Sequence, residues 1–156
     1  MAIAFTLKHF LDNRDIDYEL VAHPYASDAL GSAKSAHLPP EKVAKCVMLE
    51  DEGGYLIAVC SASKRICLGD LYHEINRRLE FASEAELADL LGDCVLGAVP
   101  PVGELYDMEV VVDTDLFMQP DIYFEAGDHE DLIHVSADAF QRIMRNAEHA
   151  SFCRTV

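Results

Sequence analysis

Lys45 is the residue whose position in this chain most needs a chemical explanation. It opens an apolar run, Val43-Ala44-Lys45-Cys46-Val47-Met48-Leu49, and a turn at Asp51-Glu52-Gly53-Gly54 joins that run to a second one, Tyr55 to Cys60. An ammonium beside a buried strand loses hydration unless it has a partner or a task. The plain alternative is a side chain that lays its methylenes over the strand and reaches solvent at the strand end. Cys46 follows directly, and a cation close to a thiol lowers its pKa. Neighbouring residues of a strand point to opposite faces, however. A Lys45 that faces a cleft therefore turns Cys46 into the core, where a thiol acts as a small hydrophobe rather than a nucleophile.

Other chemistries find less support. The chain has seven histidines and five cysteines, at 46, 60, 67, 94 and 153. His129 and His134 lie five apart, but no Cys-x-x-Cys pair occurs. A zinc site needs three or four converging ligands, so the expectation is no metal and no cofactor. Gly-x-Ser-x-Gly is absent, and Ser61 and Ser63 have no evident His and Asp at triad-like positions. No Gly-x-Gly-x-x-Gly or Walker-type loop is present. One loop stands out: Gly97, within the apolar run Cys94 to Val99, is followed by Pro101 and Gly103. Its amides, uncrowded by side chains, could donate to a carbonyl or an oxyanion; an ordinary Pro/Gly loop is the alternative.

The elements that must position these residues follow from pattern. Apolar spacing predicts a helix over Ala4 to Asn13, and alternation predicts a strand from Ile16 to Val21, ended by His23-Pro24. Ser27 is placed to cap a helix through His37, with Ala29, Leu30, Ala33 and Ala36 facing inward. Pro40 opens a helical turn that leads into the Lys45 hairpin. Ser61 to Arg65 reads as a small-residue loop, and Leu68 to Leu79 as a helix. Glu80 to Ala82 reads as a short strand. Ser83-Glu84-Ala85-Glu86 is a capping box for a helix to Leu91. Strands are expected at Cys94–Val99, Met108–Val112, Ile122–Ala126 and Leu132–Val135, the last two paired around Gly127-Asp128-His129. Ser136 caps a final helix with Phe140, Ile143 and Met144 inward. About six or seven strands with flanking helices, several joined by short turns, indicate a mixed α/β or α+β fold with a largely antiparallel sheet. At 156 residues the chain, 1–156, reads as one domain.

The formal net charge is -16, which repels phosphate backbones at long range and argues against a generic DNA or RNA binder. The basic residues are unevenly spread. From Lys34 to Arg65 five cations face four acids, whereas the remainder has seven against 24. An anionic ligand is expected near that window. No apolar run approaches the roughly 18 residues of a membrane span. The unpaired cysteine count and the absence of a secretory start point to free thiols in the cytoplasm.

Taken in order, these pieces resemble the YbaK/prolyl-tRNA-synthetase-associated editing-domain family. His23 follows the first strand, and a small-residue helix leads to Val43-Ala44-Lys45. Then come Leu49-Glu50-Asp51, Gly54-Tyr55, Ala58-Val59, the Ser61-Ala62-Ser63 loop and Leu68. Gly97, Pro101 and Gly103 form the later loop, and Tyr123 to Gly127 is similar to the family's strand ending in Ala-Gly.

The resemblance implies a free-standing, metal-independent hydrolase that removes wrong amino acids from tRNA. It implies Lys45 as the functional residue, with Gly97, Pro101 and Gly103 shaping the pocket. His23, Ser61, Ala62, Ser63 and Gly127 are implied on the substrate side. The implied partners are the acceptor end of mischarged tRNA, met transiently, and an aminoacyl-tRNA synthetase; neither membrane nor DNA is expected. Pro100 and Val102 stand where many relatives have Ser and Phe, and Glu125 where several have Asn. The acidic surface and Glu125 also admit a second reading, a non-catalytic module of the same fold that binds a small aminoacyl- or nucleotide-like ligand or a partner protein.

Overall fold

The computed structural model describes residues 5–83 and 99–155. The helix expected from Ser83 to Leu91, most of the strand expected at Cys94–Val99, and Gly97 lie outside the described residues. Helix α1 (Phe5–Asn13) buries Leu7, Phe10 and Leu11, the stripe its spacing predicts. Strand β1 is Glu19–Ala22. It starts later than the alternation suggests, because Asp15 takes a left-handed turn (φ 53°) and Ile16 drops into the core instead of pairing.

Helix α2 (Ala29–Ser35) corrects two expectations. Its cap is Asp28, whose Oδ1 accepts from the Gly31 amide at 2.7 Å, rather than Ser27. A carboxylate at the first turn also complements the helix dipole. Leu30 is 44% exposed, and Ser32 takes the buried place instead. That exchange is tolerable because the Ser32 hydroxyl has a buried acceptor, described below.

A single 3-10 turn, Pro40–Lys42, delivers the chain into β2 (Val43–Asp51), which pairs antiparallel with β3 (Gly54–Ser61) over eight positions. Gly54 at the turn has φ 121°, a conformation open to glycine at little cost. The region read as a loop after Ser61 contains a third short strand, β4 (Lys64–Ile66). Helix α3 is Leu68–Ile75 and stops four residues short of Leu79, because Asn76 adopts the left-handed cap conformation (φ 56°). Next come β5 (Glu80–Phe81), β6 (Glu109–Asp113), β7 (Asp121–Glu125), β8 (Asp131–Ser136) and α4 (Ala137–Ile143). Ser136 caps α4 through the Ala139 amide. Strands β9 (Glu148–Ala150) and β10 (Cys153–Thr155) close the chain.

The result is a mixed α+β architecture. Eight of the described strands form one sheet in the order β1-β8-β7-β2-β3-β6-β9, with β5 beside β2, and β10 pairs β4 in a small second sheet. Strand β2 is the hub. It pairs parallel with β7 at Val43 and Ala44 only, and antiparallel with β5 at Leu49 and Glu50 only. Among the described residues, no strand pairs with this edge of β2 between those two contacts. The β2–β3 hairpin separates two cores by alternation. Ala44, Ile57 and Val59 join the larger one with α1 and α4. Leu49, Leu56 and Ala58 join the smaller one with Leu71 and Phe152. Each fully buried Val, Leu, Ile or Phe side chain contributes about 2 kcal/mol, and a one-residue slip of the hairpin would invert both cores at once.

Candidate active site

Register decides what surrounds Lys45. Its cross-strand partner is Cys60, so the two side chains share a face, the one opposite Cys46. Cys46 is half-buried and packs against the larger core and against Val99, as alternation anticipates. Asp113 follows Val112, the partner of Val59, and Glu125 follows Phe124, the partner of Ala44. Glu125, Lys45, Cys60 and Asp113 therefore lie in one row across β7, β2, β3 and β6.

The row is electrostatically organised. The Lys45 ammonium, half-buried, donates to the backbone carbonyl of Lys64. The Lys64 ammonium reaches the other way and pairs with Asp115. Asp113 is buried, and its Oδ1 accepts from the amides of Phe152 at 3.1 Å and Cys153 at 3.3 Å, which ties β10 to the row. The Cys153 thiol hydrogen-bonds Cys60. That contact holds the Cys60 pKa below the ordinary thiol range, helped by the nearby positive charges of Lys45 and Lys64 and opposed by burial and Asp113. The same contact pushes Cys153 the other way.

The Ser61-Ala62-Ser63 turn sits directly beside the start of β2: the Ala62 amide donates to the Val43 carbonyl at 2.7 Å. Ser61 donates its hydroxyl to the Pro40 carbonyl at 3.1 Å. Its oxygen must then be the acceptor in the 2.8 Å contact with the Ser63 hydroxyl, and it also accepts the Ser63 amide. Ser61 is a turn-builder whose hydrogen is committed, which leaves no activated serine there. With Glu41, Lys64, Asp115, Met118 and Gln119, Ser61 and Ser63 line a cleft of about 200 Å³.

His23, Glu125 and His129 form a buried group beneath the Gly127 turn. The His23 Nδ1–H donates to the Pro24 carbonyl at 2.8 Å. Ser32 donates to Glu125 Oε1 at 2.7 Å, and His129 Nδ1 stands 3.9 Å from Oε2. Burial raises the Glu125 pKa; Ser32 and the two histidines oppose that, and Asp128 adds to it. Gly127 is buried with φ 114° and supplies the turn that brings His129 back over the acid.

Pro101 and Gly103 are buried. A Cβ on Gly103 would stand 2.2 Å from the Met108 carbonyl oxygen and 2.5 Å from Val110 Cγ2, so this glycine is required by close packing. Val110 packs on the core that receives Cys46. The described part of the loop thus rests on the Cys46 face of the sheet, and Lys45 occupies the other. Val99 packs beside Cys46 and Met48.

Lys45, Ser61, Ala62 and Ser63 are thus brought together, His23 and Gly127 meet around Glu125, and Gly103 stands apart. Sequence reasoning did not find Lys64, Asp115, Cys60 and Asp113. The two-residue alternation that put Cys46 in the core, carried across the hairpin turn, would have paired Cys60 with Lys45. Asp113 and Asp115 carry no local signal. Among the described residues, no group of three or more His, Cys, Asp or Glu is arranged to hold a metal ion. His134 is engaged elsewhere, by Glu19 and Asp121.

The class this architecture defines is an α+β domain built on one large mixed sheet, with a half-buried lysine on its hub strand. Comparison narrows it. A family model described as the aminoacyl-tRNA editing domain matches residues 23–143, and the chain belongs to that family. No curated protein matches the chain. Among solved structures, one described as a candidate trans-editing enzyme for prolyl tRNA synthetase superposes with TM-score 0.83 at 22% identity, covering 97% of this chain and 96% of that one. A hypothetical protein superposes with TM-score 0.83 at 18% identity, covering 96% and 99%. A candidate signal transduction protein from Marinobacter aquaeolei VT8 gives TM-score 0.78 at 17% identity, over 95% of this chain but 30% of that one. At these identities the solved structures bear on the fold alone. Among the described residues, no helix is long and apolar enough to cross a membrane.

Proposed function

We propose that the chain, acting as one domain over 1–156 in the cytoplasm, hydrolyses the ester bond of mischarged aminoacyl-tRNA in trans. The observation that carries this reading is the placement of Lys45. In a chain of the editing-domain family, its ammonium sits behind the Ser61–Lys64 turn, on the hub strand of the sheet. The ester is already activated, so modest catalysis suffices. Lys45, a compact cation with three donors, orients the ester carbonyl. The same ammonium meets the developing oxyanion, while Pro101 and Gly103 support the hub strand from its Cys46 face. A water attacks, assisted by the neighbouring ribose hydroxyl; the ester C–O bond breaks, the amino acid leaves with the water oxygen, and the terminal hydroxyl of the tRNA is restored with a proton from that water. Ser61, Ala62 and Ser63 limit the size of the aminoacyl side chain, and His23 and Gly127 frame the far wall.

The partner is the acceptor end of mischarged tRNA, in a transient encounter given the charge of -16, with a synthetase as the docking platform. The test is a panel of tRNAs mischarged with small amino acids, incubated with wild type and with Lys45→Ala. Release of the amino acid by wild type alone is the expected result. Equal release by both removes Lys45 from the mechanism, and no release from any species removes the deacylase reading. Saturable binding of an aminoacyl-adenosine without turnover would favour the second reading, a binding module, which the buried acid Glu125 in the row with Lys45 supports.

A further inference from the structure

Two cations meet at residue 64 and do different things. Lys45 points its ammonium inward to the Lys64 carbonyl, a neutral partner. Lys64 carries its own ammonium to the rim, where it meets Asp115. The Lys64 side chain is 18% exposed and that of Asp115 56% exposed. An acid so open to water is a weakly held counter-ion. The pair borders the cleft that Ser61 and Ser63 line together with Glu41, Met118, 81% exposed, and Gln119. This is also the end of the basic window, Lys34 to Arg65, in an otherwise strongly acidic chain.

From this geometry we infer that Lys64 is the phosphate ligand of the site: a nucleic-acid phosphodiester displaces Asp115 from the Lys64 ammonium. The inference rests on the reading of the site as the receiver of an aminoacylated 3′ end, and it divides the labour between the cations. Lys45, set deeper, meets the ester. Lys64, at the rim, meets the phosphodiester that precedes the terminal nucleoside. A phosphodiester offers the same single negative charge as a carboxylate, so the exchange conserves charge at Lys64. In the free protein Asp115 occupies the cation, which disfavours polyanions that bring no second contact to the cleft.

The experiment uses two non-hydrolysable probes. One is 3′-alanylamido-3′-deoxyadenosine; the other is the same nucleoside with a 5′ methyl phosphodiester. Both are titrated calorimetrically into the full chain. Wild type is expected to bind the phosphodiester probe more tightly, with an advantage that shrinks as salt is raised. Lys64→Ala is expected to weaken the phosphodiester probe about tenfold and leave the nucleoside probe unchanged. Asp115→Asn is expected to tighten the phosphodiester probe, a gain that misfolding cannot mimic. Equal weakening of both probes by Lys64→Ala, or no gain from Asp115→Asn, overturns the assignment of Lys64 while leaving the deacylase reading intact. Failure of wild type to bind either probe overturns the reading of the site as a receiver of an aminoacylated 3′ end, and the phosphate subsite with it.

Discussion

Lys45 and Cys60 are direct partners across the β2–β3 hairpin, so their side chains lie on one face and Cys46 lies on the other. Everything proposed for the site depends on that register. A one-residue slip would exchange the lysine for the core thiol.

The first prediction uses this contrast. Lys45→Ala is expected to lower kcat/KM for a mischarged tRNA by about 100-fold, the scale of losing one donor at a developing oxyanion. Cys46→Ala is expected to leave kcat/KM unchanged, because Cys46 packs into the core away from the cleft. Thermal melts of both variants establish that each is folded. A Cys46→Ala enzyme that loses turnover while melting normally would reinstate thiol chemistry.

Gly103 admits no side chain. Its Cβ would meet the Met108 backbone oxygen at 2.2 Å, and backbone yields far less readily than a flexible side chain. Gly103→Ala is expected to cost about 3 kcal/mol of folding stability, the upper end for forced overpacking. Urea denaturation measures this; a loss below about 0.5 kcal/mol would mean that the loop shifts freely.

Asp113 anchors the C-terminal strand. Replacing it with Ala leaves the buried amides of Phe152 and Cys153 without their shared acceptor. A loss of about 2 kcal/mol is expected. Amide exchange is expected to accelerate at Phe152 and Cys153 before it does so in β3.

Asp131 gives a pH signature. Burial, then the hydrogen bond and like charge of Asp128, push its pKa up to about 6 from an ordinary 3.8. A carboxyl with a folded pKa above its unfolded value binds its proton more tightly when folded. Its contribution is therefore fully present below pH 3.8 and is lost as pH rises through about 6. Asp131→Asn removes the charge that is penalised at neutral pH. The variant is expected to gain stability on wild type at pH 7 and to show little difference at pH 4, read from denaturation midpoints at the two values. A gain of equal size at both would assign the effect to something other than the Asp128–Asp131 repulsion.

Much of the fold was legible because it is written in local pattern. The β2–β3 hairpin combines a two-residue alternation with a turn that needs glycine at Gly54, and nothing at longer range contradicts it. The α4 cap at Ser136 and the inward Phe140, Ile143 and Met144 are local in the same sense. The misplacements have long-range causes. Leu30 was set inward by composition, but the phase of α2 is chosen by the buried hydrogen bond from Ser32 to Glu125, a residue far along the chain. Strands β9 and β10 carry no alternation of their own and exist because β6 and β4 offer them open edges.

The same division holds at the site. By itself the sequence determined that a lysine opens a buried hairpin, that Cys46 faces away from it, and that small residues follow at Ser61 to Ser63. Those are consequences of strand alternation and chain order. Only the tertiary structure decided that Cys60, Asp113 and Glu125 join Lys45 in one row, that Lys64 shares a contact with Lys45 and an ion pair with Asp115, and that Gly103 rests on the other face. Rows across a sheet are set by the register between strands distant in sequence. The hydrogen bonds and packing that choose that register form only when those strands meet.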